Sequence, residues 1–178
     1  MTKPKAKKKT VKRIILSRND SIGDVILSLP MTGVLKKLNP EIEILFLGRK
    51  YTREVIRNCK HIDEFLDWDE IRKKEMDAQI SAFQSTGADA IIHVFPRKEI
   101  AVLAKKSGIP NRYGTTNRLY HWYTCNQLVR LSRKKSELHE AQLNLKLLRP
   151  LGAKELYPLE EIPNYYGFKK PEDSNHLK

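Results

Sequence analysis

Cysteine is nearly absent from this chain: Cys59 and Cys125 are the only two in 178 residues. They lie far apart, with no Cys-x-x-Cys pair and no zinc-ligand spacing, which excludes a disulfide scaffold and a cysteine metal site. Both read as buried or incidental thiols of a reducing compartment. No window approaches the ~18–20 apolar residues of a membrane span. A secretory leader needs an apolar core of ~7–15 residues behind a basic start. The stretch 11–16 is shorter and is broken by Lys12 and Arg13. Glycine is sparse, at eight residues, and neither a Walker A loop nor a Gly-x-Gly-x-x-Gly fingerprint occurs. Nucleotide cradles of those two kinds are therefore excluded. Acid is short as well. The 21 Asp and Glu face 34 Lys and Arg, a formal net charge of +13. That surplus suits an anionic partner: nucleic acid, a phospholipid headgroup, or a phosphorylated or carboxylated sugar. The mean hydropathy of −0.55 and the missing leader predict a soluble, cytoplasmic chain.

What is present alternates. The apolar run Arg13-Ile14-Ile15-Leu16 predicts a buried strand over 12–17. Ile22, Val25, Ile26 and Leu29 fall at i, i+3, i+4 and i+7, predicting a helix over 22–38 that Pro30 kinks or splits. Asn39-Pro40 ends it. Further strands are predicted over 42–47, 62–68, 88–95 and 111–114, and helices over 52–58, 69–85 and 99–107. A helix over 136–148 is expected to open on Ser136 as N-cap and to close at Gly152. The pattern weakens over 115–135 and predicts nothing there. Such alternation indicates a parallel sheet with helices on both faces. The expected organisation is a basic disordered arm over 1–11, one α/β domain over 12–152, and a Pro-spaced interdomain linker or tail over 153–178.

The most informative stretch is Ser17-Arg18-Asn19-Asp20-Ser21-Ile22-Gly23-Asp24-Val25. It is a strand, a tight polar turn and a helix start, the place where α/β proteins bind ligands. Spacing alone favours a first-turn acid complementing the helix dipole as the role of Asp24, with a catalytic carboxylate as the alternative. Asp20 reads as a cap or Asx-turn residue. His93 reads as a satisfied core histidine within an apolar strand. Tyr120, Trp122 and Tyr123 read as aromatics that pack a helix, with stacking on sugar or base rings as the alternative.

The residues go further than their spacing. The segment Ile14-Ile15-Leu16-Ser17-Arg18, followed by Ser21-Ile22-Gly23-Asp24-Val25-Ile26-Leu27-Ser28-Leu29-Pro30, resembles the opening of glycosyltransferase family 9, the heptosyltransferases of lipopolysaccharide core assembly. The resemblance continues through Leu35-Lys36-Lys37-Leu38-Asn39-Pro40, Ala88-Asp89-Ala90-Ile91-Ile92, Gly108-Ile109-Pro110-Asn111-Arg112-Tyr113-Gly114 and His139-Glu140. It spans roughly residues 12–152.

It implies a GT-B architecture of two Rossmann-like domains, of which this chain is the N-terminal, acceptor-binding half. It also implies inverting, metal-independent sugar transfer from a nucleotide-sugar such as ADP-heptose, with no other cofactor. The general base of that family falls on Asp24. His139 matches a family position at a helix start, with a positioning or capping role. Arg18, Ser21, Gly23, Arg97, Lys98 and Arg112 are the expected acceptor-binding residues, with a solvated helix start as the alternative for Arg97 and Lys98, and Arg112 the lesser candidate. The donor domain would begin where this chain ends, so the chain alone is expected to be inactive. The expected partners are an acidic glycolipid or lipopolysaccharide-core acceptor, the inner face of the cytoplasmic membrane by peripheral contact, and a separate donor-domain chain. Two other readings compete: a non-catalytic module that binds an acidic glycolipid, and a basic nucleic-acid-binding α/β domain. The second has the charge but no recognisable motif.

Overall fold

The computed structural model describes residues 11–131 and 136–169. The expected basic arm, Val11 excepted, and the last nine residues of the expected tail lie outside them. Six strands form one parallel sheet: β1 Arg13–Ser17, β2 Glu43–Gly48, β3 Glu64–Asp67, β4 Ala90–His93, β5 Asn111–Thr115 and β6 Gln127–Val129. Their order across the sheet is β3-β2-β1-β4-β5-β6. The sequence runs outward one way from β1, then returns and runs out the other way from β4. The crevice above the carboxyl ends of β1 and β4 is thus the topological switch point, where such sheets bind ligands.

The central strands are continuous apolar runs because helices cover both faces. Ile14 and Leu16 point to one face, Ile15 to the other, and all three are fully buried. Each such side chain contributes about 1.5–3 kcal/mol of burial. The first face is covered by α1 Ile22–Ile26, α2 Pro30–Leu38, α3 Arg53–Arg57 and α8 Glu140–Lys146. The second is covered by α4 Trp68–Ile71, α5 Met76–Ser85 and α6 Lys98–Lys106. A four-residue helix, α7 His121–Thr124, joins β5 to β6.

Pro30 divides the first helix as expected. The chain turns over 27–29, and Pro30 opens α2 at a position where its missing N–H costs nothing. The span 69–85 is likewise two helices, with Glu75 as N-cap of the second. The last helix differs from its expected start. Its N-cap is His139, not Ser136: His139 Nδ1 accepts from the Ala141 N–H at 3.3 Å, and Gln142 Oε1 accepts from the His139 N–H at 3.0 Å. Imidazole and amide together do the work of a capping box. Gly152 follows in the left-handed region, at φ 102.

Residues 153–169 pack back onto the first face. Tyr157, Ile162 and Tyr165 are buried in its core. A 3-10 segment, Leu159–Tyr165, lies against α2, and Phe168 bridges antiparallel to Cys59. Among the described residues no helix is long and apolar enough to cross a membrane.

Candidate active site at the β1–α1 turn

The carboxyl end of β1 delivers Arg18 into the switch point, and the residue is 2% exposed. A buried guanidinium must spend its donors on carboxylates or carbonyls. Arg18 Nε donates to Asp20 Oδ1 at 2.8 Å, Nη2 lies 2.9 Å from Asp24 Oδ1, and Nη1 reaches Glu140 Oε1 at 3.1 Å and Asn144 Oδ1 at 3.3 Å. Glu140 and Asn144 sit at i and i+4 on α8, hence on one face of that helix. Asn144 Nδ2 also donates to the Leu27 carbonyl at 3.1 Å, tying α8 to the end of the first helical turn. The Phe95 ring, just beyond β4, has the Arg18 guanidinium 5.9 Å and that of Arg97 4.9 Å from its centroid.

Ser21 caps α1. Its Oγ accepts from the Asp24 N–H at 3.3 Å and donates to Asp24 Oδ2 at 2.7 Å. Asp24 is therefore held at both oxygens, by Ser21 and by Arg18, yet its side chain is 40% exposed. An oriented carboxylate with free lone pairs open to solvent can accept a proton from a hydroxyl placed beside it. Asp20 is a supporting residue. Burial pushes its carboxyl above the usual range, Arg18 pulls it down by charge and hydrogen bond, and the Asp24 charge raises it again. The Tyr51 hydroxyl donates to the Asp20 carbonyl and fixes the turn from the β2 side.

The structure brings together Arg18, Ser21, Gly23 and Asp24, with Arg97 and Lys98 exposed at the start of α6 on the same rim. The space beside Gly23 is open: an added Cβ would meet only Ser21 Oγ, at 4.0 Å. Two of the expected acceptor-binding residues are placed differently from the rest. Arg18 is buried, with its guanidinium turned onto Asp20, Asp24 and Glu140. Arg112 lies near the amino end of β5, on the opposite rim. There its Nε donates to the Thr124 carbonyl at 2.7 Å and its Nη1 to that of Ile109. A cavity of ≈ 300 Å³ also opens at that opposite rim, between Asn39, Asn111, Gln127 and Leu151, away from Asp24.

The histidine expectation changes too. His93 is fully buried, but neither ring nitrogen has a hydrogen-bond partner among the described residues; it stacks on His121 with centroids 5.4 Å apart. Trp122 and Tyr123, expected to pack a helix, are 62% and 53% exposed. Sequence reasoning missed Glu140 and Asn144 as members of the site. Their signals were the His139-Glu140 pair of the family resemblance and an acid and an amide at i, i+4 in the opening turns of a helix.

A doubly wound parallel sheet with a clamped carboxylate at its switch point places the chain among Rossmann-like folds, whose ligands sit at that crevice. No family model matches the chain. It is 28% identical over 162 residues to a Haemophilus influenzae protein described as "Putative glycosyltransferase", covering 90% of this chain and 46% of that one. Among solved structures it superposes on a glycosyl transferase family 9 protein of Veillonella parvula with a TM-score of 0.63 and 26% identity, covering 82% of this chain and 42% of the other. The E. coli heptosyltransferase WaaC with ADP-2-deoxy-2-fluoro heptose shares the fold, with a TM-score of 0.66 at 17% identity over 83% of this chain and 50% of WaaC. The chain spans about half the length of these proteins. The curated relative thus supports a glycosyltransferase, the solved structures resemble glycosyltransferase family 9, and the fold is a Rossmann-like half of the GT-B kind.

Proposed function

We propose that this chain is the acceptor-binding half of an inverting glycosyltransferase. The enzyme would move a sugar from a nucleotide-sugar, ADP-heptose or a relative of it, onto a lipopolysaccharide-core or similar acidic glycan. The observation that carries the reading is Asp24, pinned at both oxygens yet open to solvent at the switch point. The acceptor hydroxyl lies against this carboxylate. Its oxygen attacks the anomeric carbon, forming the new glycosidic bond, and its proton passes to Asp24. The bond from the anomeric carbon to the diphosphate breaks, and the electron pair leaves with the nucleotide. A single displacement from the face opposite the leaving group inverts the centre. Charge developing on the diphosphate is met by basic groups of a donor domain, without a metal.

Arg97 and Lys98, exposed on the same rim, hold phosphates or carboxylates of the acceptor, and Gly23 leaves room for its approach. The test joins this chain to the donor half of a family 9 heptosyltransferase and follows glycan mass after addition of ADP-heptose. Asp24→Asn should lower kcat by roughly 10²–10⁴-fold, the usual contribution of a general base, with acceptor affinity changed little. Undiminished turnover in that variant removes Asp24 as the base.

A further inference from the structure

The segment after β5 is ordered, yet it holds apolar side chains in water. His121 and Thr124 are buried and anchor α7. Around them Leu119 is 86% exposed, Trp122 62% and Tyr123 53%. The segment is braced rather than frayed: the Trp122 Nε1–H donates to the Thr116 carbonyl at 3.1 Å, and Lys105 Nζ donates to the Tyr123 carbonyl at 2.8 Å. Three large apolar residues displayed within five positions on a braced loop mark an interaction surface.

The charge around them has one sign. Between Glu99 and Glu137 the chain contains no Asp or Glu, but it contains eight Lys and Arg, among them Lys105, Lys106, Arg118 and Arg130. Arg118, Arg97 and Lys98 are exposed, and none pairs with a carboxylate among the described residues. Arg97 and Arg118 both lie within electrostatic reach of the Tyr120 hydroxyl, so the cations flank the apolar tip. Glu99, in the first turn of α6, is the acid at its border.

We infer that Leu119, Trp122 and Tyr123, with Arg118, Arg97 and Lys98, form a docking face for an anionic phospholipid bilayer. An aliphatic tip beside Trp and Tyr, ringed by Lys and Arg, suits the boundary between acyl chains and charged headgroups. A sugar platform or a single-stranded nucleic-acid surface would put aromatic faces in a groove. An 86% exposed Leu119 at the apex serves neither. The inference does not rest on Asp24 being a base. It does place the bilayer on the flank next to that site, because the guanidinium groups of Arg18 and Arg97 both lie over the Phe95 ring, 5.9 and 4.9 Å from its centroid.

The chain has two tryptophans, and Trp68 is 3% exposed, so a change in emission on binding reports Trp122. The full chain is titrated with vesicles of phosphatidylcholine, alone or mixed with phosphatidylglycerol, and binding is read by co-sedimentation and by tryptophan emission. The expected result is binding to the mixed vesicles, with a blue shift, and little binding to phosphatidylcholine alone. The double variant Leu119→Ser/Trp122→Ser should bind at least about tenfold more weakly, from lost apolar burial. Arg118→Glu should bind several-fold more weakly, and less so at high salt. Every substituted residue is exposed, and circular dichroism confirms that the variants fold. Three outcomes overturn the inference. One is no binding to anionic vesicles. Another is binding without a Trp122 shift and untouched by the double variant, which moves the contact elsewhere on the chain. The third is an equal shift with single-stranded RNA and no vesicles, which makes the face a nucleic-acid platform.

Discussion

Arg18 Nη2 sits 2.9 Å from Asp24 Oδ1, with the arginine side chain 3% exposed and the aspartate side chain 40% exposed. The cation is inside the protein and the anion at its surface, so the pair orients the carboxylate without covering it. Arg18 also answers to Asp20 and to Glu140, three carboxylates around one guanidinium. Removing the cation would leave a half-buried cluster of like charges. Arg18→Leu should therefore destabilise the domain by about 3–5 kcal/mol, the usual cost of breaking a buried ion network from one side. Arg18→Lys should recover only part of that, because one ammonium cannot bridge three partners set at a guanidinium's fork angles. Urea unfolding of the three proteins checks both statements. Equal midpoints would mean that the clamp does not hold the turn.

The sequence and the fold agree where burial is two-sided. The strands over 13–17, 43–48 and 90–93 were legible because each is an apolar run closed by a turn residue. The division at Pro30 was legible because proline has one tolerated place in a helix. By contrast, β6 is three residues, Gln127–Val129, and α7 is four, too short for either period to show. Within the site, Asp24 stood out by family resemblance rather than by spacing. The role of Arg18 was hidden because its deciding partners lie on α8, more than a hundred residues away, where no local pattern points back to the turn. The rim on which Arg112 lies was hidden for a related reason. A basic residue at a strand start and one at a strand end look alike in sequence, but they face opposite rims of a parallel sheet.

Gly23 separates stability from ligand approach. It lies inside α1, and a Cβ there meets nothing closer than Ser21 Oγ at 4.0 Å. Gly23→Ala should leave the fold intact and stabilise it by up to ~1 kcal/mol, through reduced backbone freedom in the unfolded chain. If an acceptor hydroxyl must come close to Asp24, the same methyl should weaken acceptor-oligosaccharide binding, read by calorimetry. Unchanged binding would place the acceptor away from this turn.

The buried His93 makes stability depend on pH. Burial is the main cause that lowers its pKa to about 3, with the charges of His121 and Arg112 adding to it. The folded protein therefore holds fewer protons on this ring than the unfolded chain, whose histidine titrates near ~6.5. Stability from keeping His93 neutral is fully present above that value and is lost as pH falls toward 3. The slope approaches about 1.4 kcal/mol per pH unit in that window. Burial also lowers the pKa of His121, so it acts in the same direction. His93→Leu removes two unpartnered buried nitrogens at similar volume. It should flatten the pH dependence measured by urea midpoints between pH 7.5 and 5, and be at least as stable as the parent at the lower pH. An unchanged slope would show that His93 does not titrate in this way.

Gly33 tests how firmly residues 153–169 are seated. It lies in α2, and a Cβ on it would run into the Tyr165 backbone, which cannot move as a side-chain tip can. In an open helix Gly→Ala would stabilise by roughly 0.5–1 kcal/mol. Here overpacking should win and destabilise by about 1–3 kcal/mol. The structural consequence is local. The 3-10 segment must lift, and with it the burial of Ile162 and Tyr165 and the contact between Lys37 and the Tyr165 ring. Limited proteolysis of Gly33→Ala should cut first within 153–169, while the sheet stays resistant, because the 3-10 segment packs mainly on α2 and α8 and the strands remain covered by those helices. Proteolysis at the parent's rate would mean that the segment rests on α2 without being wedged there. In that case the domain's first face is closed by α8 and Tyr157 rather than by Tyr165.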